Sequence, residues 1–268
     1  MIGAIAGDIF GSVYEGAPAP GKDFPLFIPA SRFTDDTVLT IAVAQAILDG
    51  ESYGSSLRKW GRRYPNAGYG GWFRHWLQAE DAPAYNSFGN GSAMRVAAVG
   101  WAFDDLERVL REAAKSAEVT HNHPEGIKGA QAVAGSILLG RTGTGKQEIA
   151  RFLSDRFGYD CGVSLADLRE RGGFDVTCQG TIPAAAAAFL ESVDFEDTVR
   201  NAISLGGDAD TNACIAGAIA EAHYGRVPGS LQRETLQRLT SALRSPLLRF
   251  AENYSLPLVE KPEEGRGG

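Results

Sequence analysis

Two short runs of this sequence set paired carboxylates and hydroxyls immediately before an apolar segment. The first is Thr34-Asp35-Asp36-Thr37, followed by VLTIAVAQAIL. The second is Asp208-Ala209-Asp210-Thr211, preceded by Gly206-Gly207 and followed by NACIAGAIAEAHYG. An Asp or Thr in such a place ordinarily caps a helix by accepting a backbone N–H, and one side-chain oxygen suffices. Here each start carries two carboxylates, and crowding them beside an apolar helix adds mutual repulsion to desolvation. A divalent cation removes that cost. Oxygen donors with no His or Cys close by suit Mg2+, Mn2+ or Ca2+ better than zinc. Spacing alone leaves simple capping and a two-cluster metal site both open. Glu15 is a third acidic group, in GDIFGSVYEG, where flanking glycines let a ligand approach the backbone closely.

The elements that must hold these groups read as helices. Residues 37–48 form a nearly all-apolar cylinder, which predicts a buried helix. Residues 106–119 are amphipathic, with Arg108, Arg111, Glu112 and Lys115 on the polar side. Residues 129–139 and 183–193 are Ala-rich, the second opening on Pro183 as a predicted first-turn proline. Helical spacing continues over 197–204, 213–223 and 231–243, while only short pieces such as 24–28 could be extended. The expectation is an all-α, single-domain globule over 1–258, with a polar, flexible tail over 259–268.

Composition narrows the function. The 268 residues are 44% hydrophobic and 22% charged, which excludes disorder. A net charge of −7 disfavours a non-specific grip on nucleic acid or anionic membrane. Cys161, Cys178 and Cys214 lack metal-knuckle spacing and form an odd set, which suits a reducing, cytoplasmic setting. The start has no basic n-region, and no run approaches the length of a membrane span.

Taken in order, GDxxGxxxE, TDDT, GYG, GNGxAMR, a TH step and GGDADTN spread from Gly7 to Asn212. This series resembles the ADP-ribosylglycohydrolases. The resemblance implies an all-α domain with two Mg2+ ions, or Mn2+ in some members, at the bottom of a cleft. By that likeness Thr34, Asp35 and Asp36 hold one ion, Asp208 and Thr211 the other, and Asp210 bridges. Glu15 matches a glutamate beside the metals, so the catalytic pair would be Glu15 and Asp36. Gly68, Gly70, Ser87 and Asn90 match loops around a diphosphate, Phe88 an aromatic ring against adenine, and His121 a histidine at the adenosine end. Gly-rich turns offer backbone N–H groups to phosphate oxygens. The implied reaction is hydrolysis of the bond between ADP-ribose and an acceptor, foremost a modified protein side chain, with arginine weakly favoured. A non-catalytic ADP-ribose-binding module, or a hydrolase of an ADP-ribosylated small molecule or nucleic-acid base, are the alternatives. Ser92 departs mildly from the family pattern, and the relatives' extra loops are not evident.

Other chemistry-bearing stretches have plainer readings. Gly140–Gln147 nearly spells a phosphate loop, yet Gln147 stands where a Ser or Thr is needed and no strand precedes it. His123 reads as a cap or surface group, His75 and His223 as structural, and Asp104-Asp105 as an ordinary helix start. Tyr69, Trp72, Phe73 and Trp76 read as core packing, although Tyr69 or Trp72 could line a cleft. Arg95 reads as an internal ion-pair partner or a phosphate ligand, and the sequence leaves both open.

Overall fold

The computed structural model describes residues 1–258, so the expected tail over 259–268 lies outside the described residues. The helices are α1 (Ile2–Gly11), α2 (Asp35–Asp49), α3 (Tyr53–Arg63), α4 (Gly71–Gln78), α5 (Gly91–Met94), α6 (Ala97–Ala102), α7 (Leu106–Glu118) and α8 (Pro124–Arg141). They continue as α9 (Lys146–Phe157), α10 (Leu165–Arg171), α11 (Cys178–Leu190), α12 (Phe195–Ile203), α13 (Ala209–Tyr224), α14 (Gly229–Arg238) and α15 (Ser241–Asn253). The fold class is all-α. Among the described residues the extended pairing amounts to an isolated bridge between Gly89 and Thr177, and 24–28 is irregular. No helix among those residues is long and apolar enough to cross a membrane.

α13 is the axis of the molecule. It is buried from Ala209 to Ala222 and packs against α1, α8, α11 and α12. Its closest neighbour is α1, which runs antiparallel to it with Gly3 on Gly217, Gly7 on Ala213 and Gly11 on Asp210. Three glycines four residues apart strip one face of α1 to backbone. A Cβ on Gly7 would stand 2.1 Å from the Ala213 carbonyl oxygen, where no side chain fits. Gly7→Ala is therefore expected to lower stability by about 3 kcal/mol or more, read by denaturant unfolding. A loss under about 0.5 kcal/mol would mean that the helices can part at little cost.

Two sequence expectations need correction. Pro183 lies inside α11 rather than in its first turn, because Thr177 caps the helix by accepting from Gly180 N. The proline leaves the Gln179 carbonyl without its helical donor, at an exposed residue where that costs least. The predicted helix over 231–243 is two, α14 and α15, divided where Thr240 caps the second through Leu243 N. The glycine-rich stretch after α8 is a helix-to-helix turn. Lys146 Nζ there donates to the carbonyls of Phe189, at 2.8 Å, and of Ser192, tying α9 to the end of α11.

Candidate functional site

The C-terminal end of α1 and the N-terminal ends of α2 and α13 meet at one place, and the acidic runs sit there. Thr34 caps α2, its Oγ1 accepting from Asp36 N at 3.3 Å, so neither Asp35 nor Asp36 is needed as a cap. Asp208 occupies the N-cap position of α13 without making a side-chain cap bond. At these helix starts one hydroxyl caps and Asp210 Oδ1 accepts the first-turn N–H of Thr211 at 2.9 Å, while Asp35, Asp36 and Asp208 make no cap bond. The sequence left capping open as their role, and the geometry speaks against it.

These groups floor a cleft of about 450 Å3, within the range of small-molecule sites. Thr34, Asp35, Asp36, Asp208, Asp210, Thr211 and Glu15 all line it. Thr211 Oγ1 and Thr34 Oγ1 each lie 3.5 Å from Asp36 Oδ2, which joins the two runs. Asp36 Oδ1 is buried with no hydrogen-bond partner. Carboxylate oxygens of Glu15, Asp208 and Asp210 lie within 4.8 Å of one another. Burial and neighbouring negative charge raise the acids together. Burial, then the Asp8 charge, pushes Asp35 up to about 7. Asp36 and Asp210 are held well above the usual carboxylate range by burial, then by Asp210 and Asp208 respectively. Glu15, at the exposed edge, is raised by partial burial and by Asp208. A cluster of carboxylates with an orphaned buried oxygen and only oxygen donors fits hard divalent cations.

Asp8, which in the sequence only interrupts an apolar run, organises the first acidic run. Its fully buried carboxylate accepts from Thr34 N at 3.0 Å, Thr34 Oγ1 at 2.7 Å, Thr37 N at 3.1 Å and Thr37 Oγ1. Burial pushes it up to about 6 against the pull of those donors. Asn at this position would turn one accepting edge into a donor facing donors. Asp8→Asn is therefore expected to cost about 10- to 100-fold in divalent-cation affinity, measured by calorimetry. Unchanged affinity would show that the loop holds its shape unaided.

The remaining predicted residues are placed unequally. A Cβ on Gly68, at φ 117°, would meet Asp35 Oδ1 at 2.9 Å, so the loop before α4 can approach the acidic floor only as glycine. Gly70 also lines the cleft but has open space around it and an ordinary φ. Asn90 Nδ2 donates to Asp208 Oδ2 at 2.6 Å and to Thr181 Oγ1 at 2.9 Å, coupling the 87–91 loop to the floor. Asn90 N and Cys178 N in turn bond to Val176 O and Phe88 O. Ser87 and His121 line the cleft. Phe88 does not line it. It is half-exposed, with its ring 5.3 Å from that of His123, which caps α8. Ser92 gives its hydroxyl to Gly126 O at 2.7 Å, so the departure from the family pattern is satisfied internally.

Phe174 lines the cleft and was not singled out from sequence; of the two aromatics that could line it, Trp72, 74% exposed, does, and Tyr69 is buried and does not. Arg95 is wholly buried and has no carboxylate partner among the described residues. Its Nη2 donates to Ser116 O at 2.8 Å and Thr120 Oγ1 at 2.9 Å, which replaces the expected ion pair.

The family profile described as ADP-ribosylglycohydrolase matches residues 1–264. The chain is 27% identical to the Bos taurus ADP-ribosylhydrolase ARH3, over 87% of this chain and 86% of that protein. It is 25% identical to the ADP-ribosylarginine hydrolase Tri1 of Pseudomonas putida (strain GB-1), over 84% of this chain and 69% of that one. A solved structure titled ADP-ribosylglycohydrolase-related protein complex superimposes with a TM-score of 0.70 at 25% identity, covering 93% of this chain and 95% of that one.

Proposed function

Because the chain belongs to the ADP-ribosylglycohydrolase family, we propose that it hydrolyses the glycosidic bond between ADP-ribose and a protein side chain, using two divalent cations, Mg2+ or Mn2+. The observation that carries this reading is the convergence of four carboxylates of which a helix start engages one, with an unpartnered buried oxygen on Asp36. Thr34, Asp35, Asp36, Asp208, Asp210 and Thr211 are the residues that would hold the ions. Bound cations supply Lewis-acid fixation of the ribose hydroxyls and water activation.

The chain's own groups do the rest. Glu15 stands at the edge of the acidic floor, where a carboxylate stabilises the positive charge that develops on the sugar as the acceptor departs. Its carboxylate lies within 4.8 Å of those of Asp208 and Asp210, so the three would share one cation and their roles would be coupled. Asn90 orients Asp208. Backbone N–H groups of the 68–70 loop suit the diphosphate, with His121 toward the nucleotide, whereas in the 87–91 loop those of Ser87, Gly89 and Asn90 are already bonded within the chain. Phe88 would need to swing from His123 to cover an adenine. Arginine is the favoured acceptor because one relative carries that specificity in its name.

The deciding experiment is release of free ADP-ribose from arginine-, serine- and base-linked substrates with Mg2+, Mn2+ or a chelator. Cation-dependent release from one substrate establishes the reaction and names its acceptor. Absence of release from all three, with ADP-ribose still bound, would make the chain a binding module. Glu15→Gln should reduce turnover by about a hundredfold while leaving ADP-ribose affinity within a few-fold.

A further inference from the structure

His121 borders the cleft with its two ring nitrogens in different surroundings. Nδ1 lies 2.7 Å from Thr120 Oγ1. Nε2 lies on the other side, 3.1 Å from where a Cβ on Gly91 would stand and 3.7 Å from the same point on Gly89. The Gly89–Gly91 turn is thus cut back to backbone around Nε2, and the residues of that turn line the cleft with His121. What His121 can offer a ligand depends on which nitrogen carries the proton.

The hydroxyl beside Nδ1 is biased in its role by Arg95. Both hydrogens of Arg95 Nη2 are committed, one to Ser116 O and one to Thr120 Oγ1. A hydroxyl has one hydrogen to give, and one that already accepts from a buried cation is polarised toward giving it. The acceptor at 2.7 Å is His121 Nδ1. Tyr85, raised by burial, also neighbours Thr120 and is lowered by it, so its phenol oxygen is a second acceptor for that hydrogen, without a hydrogen bond as close as the one to Nδ1. Arg95 is itself unusual, a fully buried cation with Nε and Nη1 unpartnered, its guanidinium lowered to about 10 by burial. Burial, reinforced by that cation, holds the imidazole well below its ordinary range, so the ring is neutral and carries one proton.

We propose that Arg95 and Thr120 are positioning residues that fix His121 as the Nε2–H tautomer, so that a neutral imidazole donates a hydrogen bond into the cleft at the Gly89–Gly91 turn. The ligand group it meets is a lone-pair acceptor, an oxygen or ring nitrogen of the nucleotide. That last step rests on the ADP-ribose reading of the cleft, whereas the tautomer does not. Setting the proton from behind gives the cleft a donor without a second positive charge. It also gives a role to a buried arginine that has no carboxylate partner among the described residues.

The test is the tautomer of His121 in the ligand-free chain, read from long-range nitrogen–proton couplings after 15N-histidine labelling. Four histidines make the spectrum tractable, and His121→Gln assigns the signal. The wild type should show Nε2–H, Thr120→Val a mixture or Nδ1–H, and Thr120→Ser the wild-type pattern. An Nδ1–H ring in the wild type, or an unchanged tautomer in Thr120→Val, overturns the relay. With ADP-ribose as the calorimetric probe, Thr120→Val should bind about tenfold more weakly and Thr120→Ser within about twofold. Equal affinity of Thr120→Val would overturn the donor role. Wild type that does not bind ADP-ribose at all would refute the nucleotide reading, and the ligand-free tautomer would still decide the relay.

Discussion

Replacing Asp36 with asparagine is expected to lower ADP-ribose release by about a hundred- to a thousandfold and, in the same step, to stabilise the cation-free chain. Both effects have one cause. Asp36 is buried among Asp35, Asp8 and Asp210, and its Oδ1 finds no donor. Asparagine keeps the shape and removes an acid that the cation-free fold buries at a cost, whether as a charge or with a bound proton. The gain should be on the order of 1–3 kcal/mol in the presence of chelator. Saturating divalent cation should reverse the order, because the wild type gains binding energy that the variant has largely lost. The crossover in unfolding midpoint separates a functional acid from a structural one. A structural Asp36 would lower stability when neutralised, with or without cation. Turnover within about tenfold of wild type would remove Asp36 from the reaction.

The sequence exposes helices whose apolar pattern and caps agree, and it conceals what depends on distant partners. α2 and α13 are apolar over most of their surface and open on polar residues, so both are readable with a frayed boundary of a few positions. α1 is not, because three glycines in ten residues argue against a helix until α13 is placed against them. The division between α14 and α15 is masked by leucines that keep helical spacing across Thr240. The same distinction runs through the cleft. Its acidic residues stand out because two carboxylates at one helix start exceed what a cap uses. Asp8 does not, since its partners Thr34 and Thr37 lie 26 and 29 positions away. Arg95 reads as half of an ion pair because charge type is visible in a sequence, whereas a carbonyl such as Ser116 O, 21 positions away, is not. Phe88 has the expected type, but the turn that carries it directs the ring to His123.

The stabilisation contributed by Mg2+ or Mn2+ is expected to grow as pH rises from about 5 to about 8, reaching roughly 5–10 °C in unfolding temperature at a hundredfold excess over Kd. The sign follows from the raised carboxylates. Without cation, Asp35 is pushed up to about 7 and Asp8 to about 6, while an unfolded aspartate titrates near 3.9. Between those limits the folded state binds protons that the unfolded state has released. Folding stability from these groups is therefore greatest at low pH and is lost as pH rises through their folded values. Divalent cations and protons compete for the same oxygens, so the cation gains most where protons have left. The buried His121 works in the opposite sense, since its folded value is depressed and the unfolded chain takes up the proton below about 6.5. That contribution is common to both arms of the measurement and cancels in the difference between cation-loaded and chelated chain. Asp49 and Asp197, both lowered, change stability only at pH below the window. Thermal unfolding with and without cation across the pH range gives the difference directly. A difference that is flat in pH would place the cation elsewhere than on these carboxylates, and no difference at any pH would leave the buried charges uncompensated and the metal reading without support.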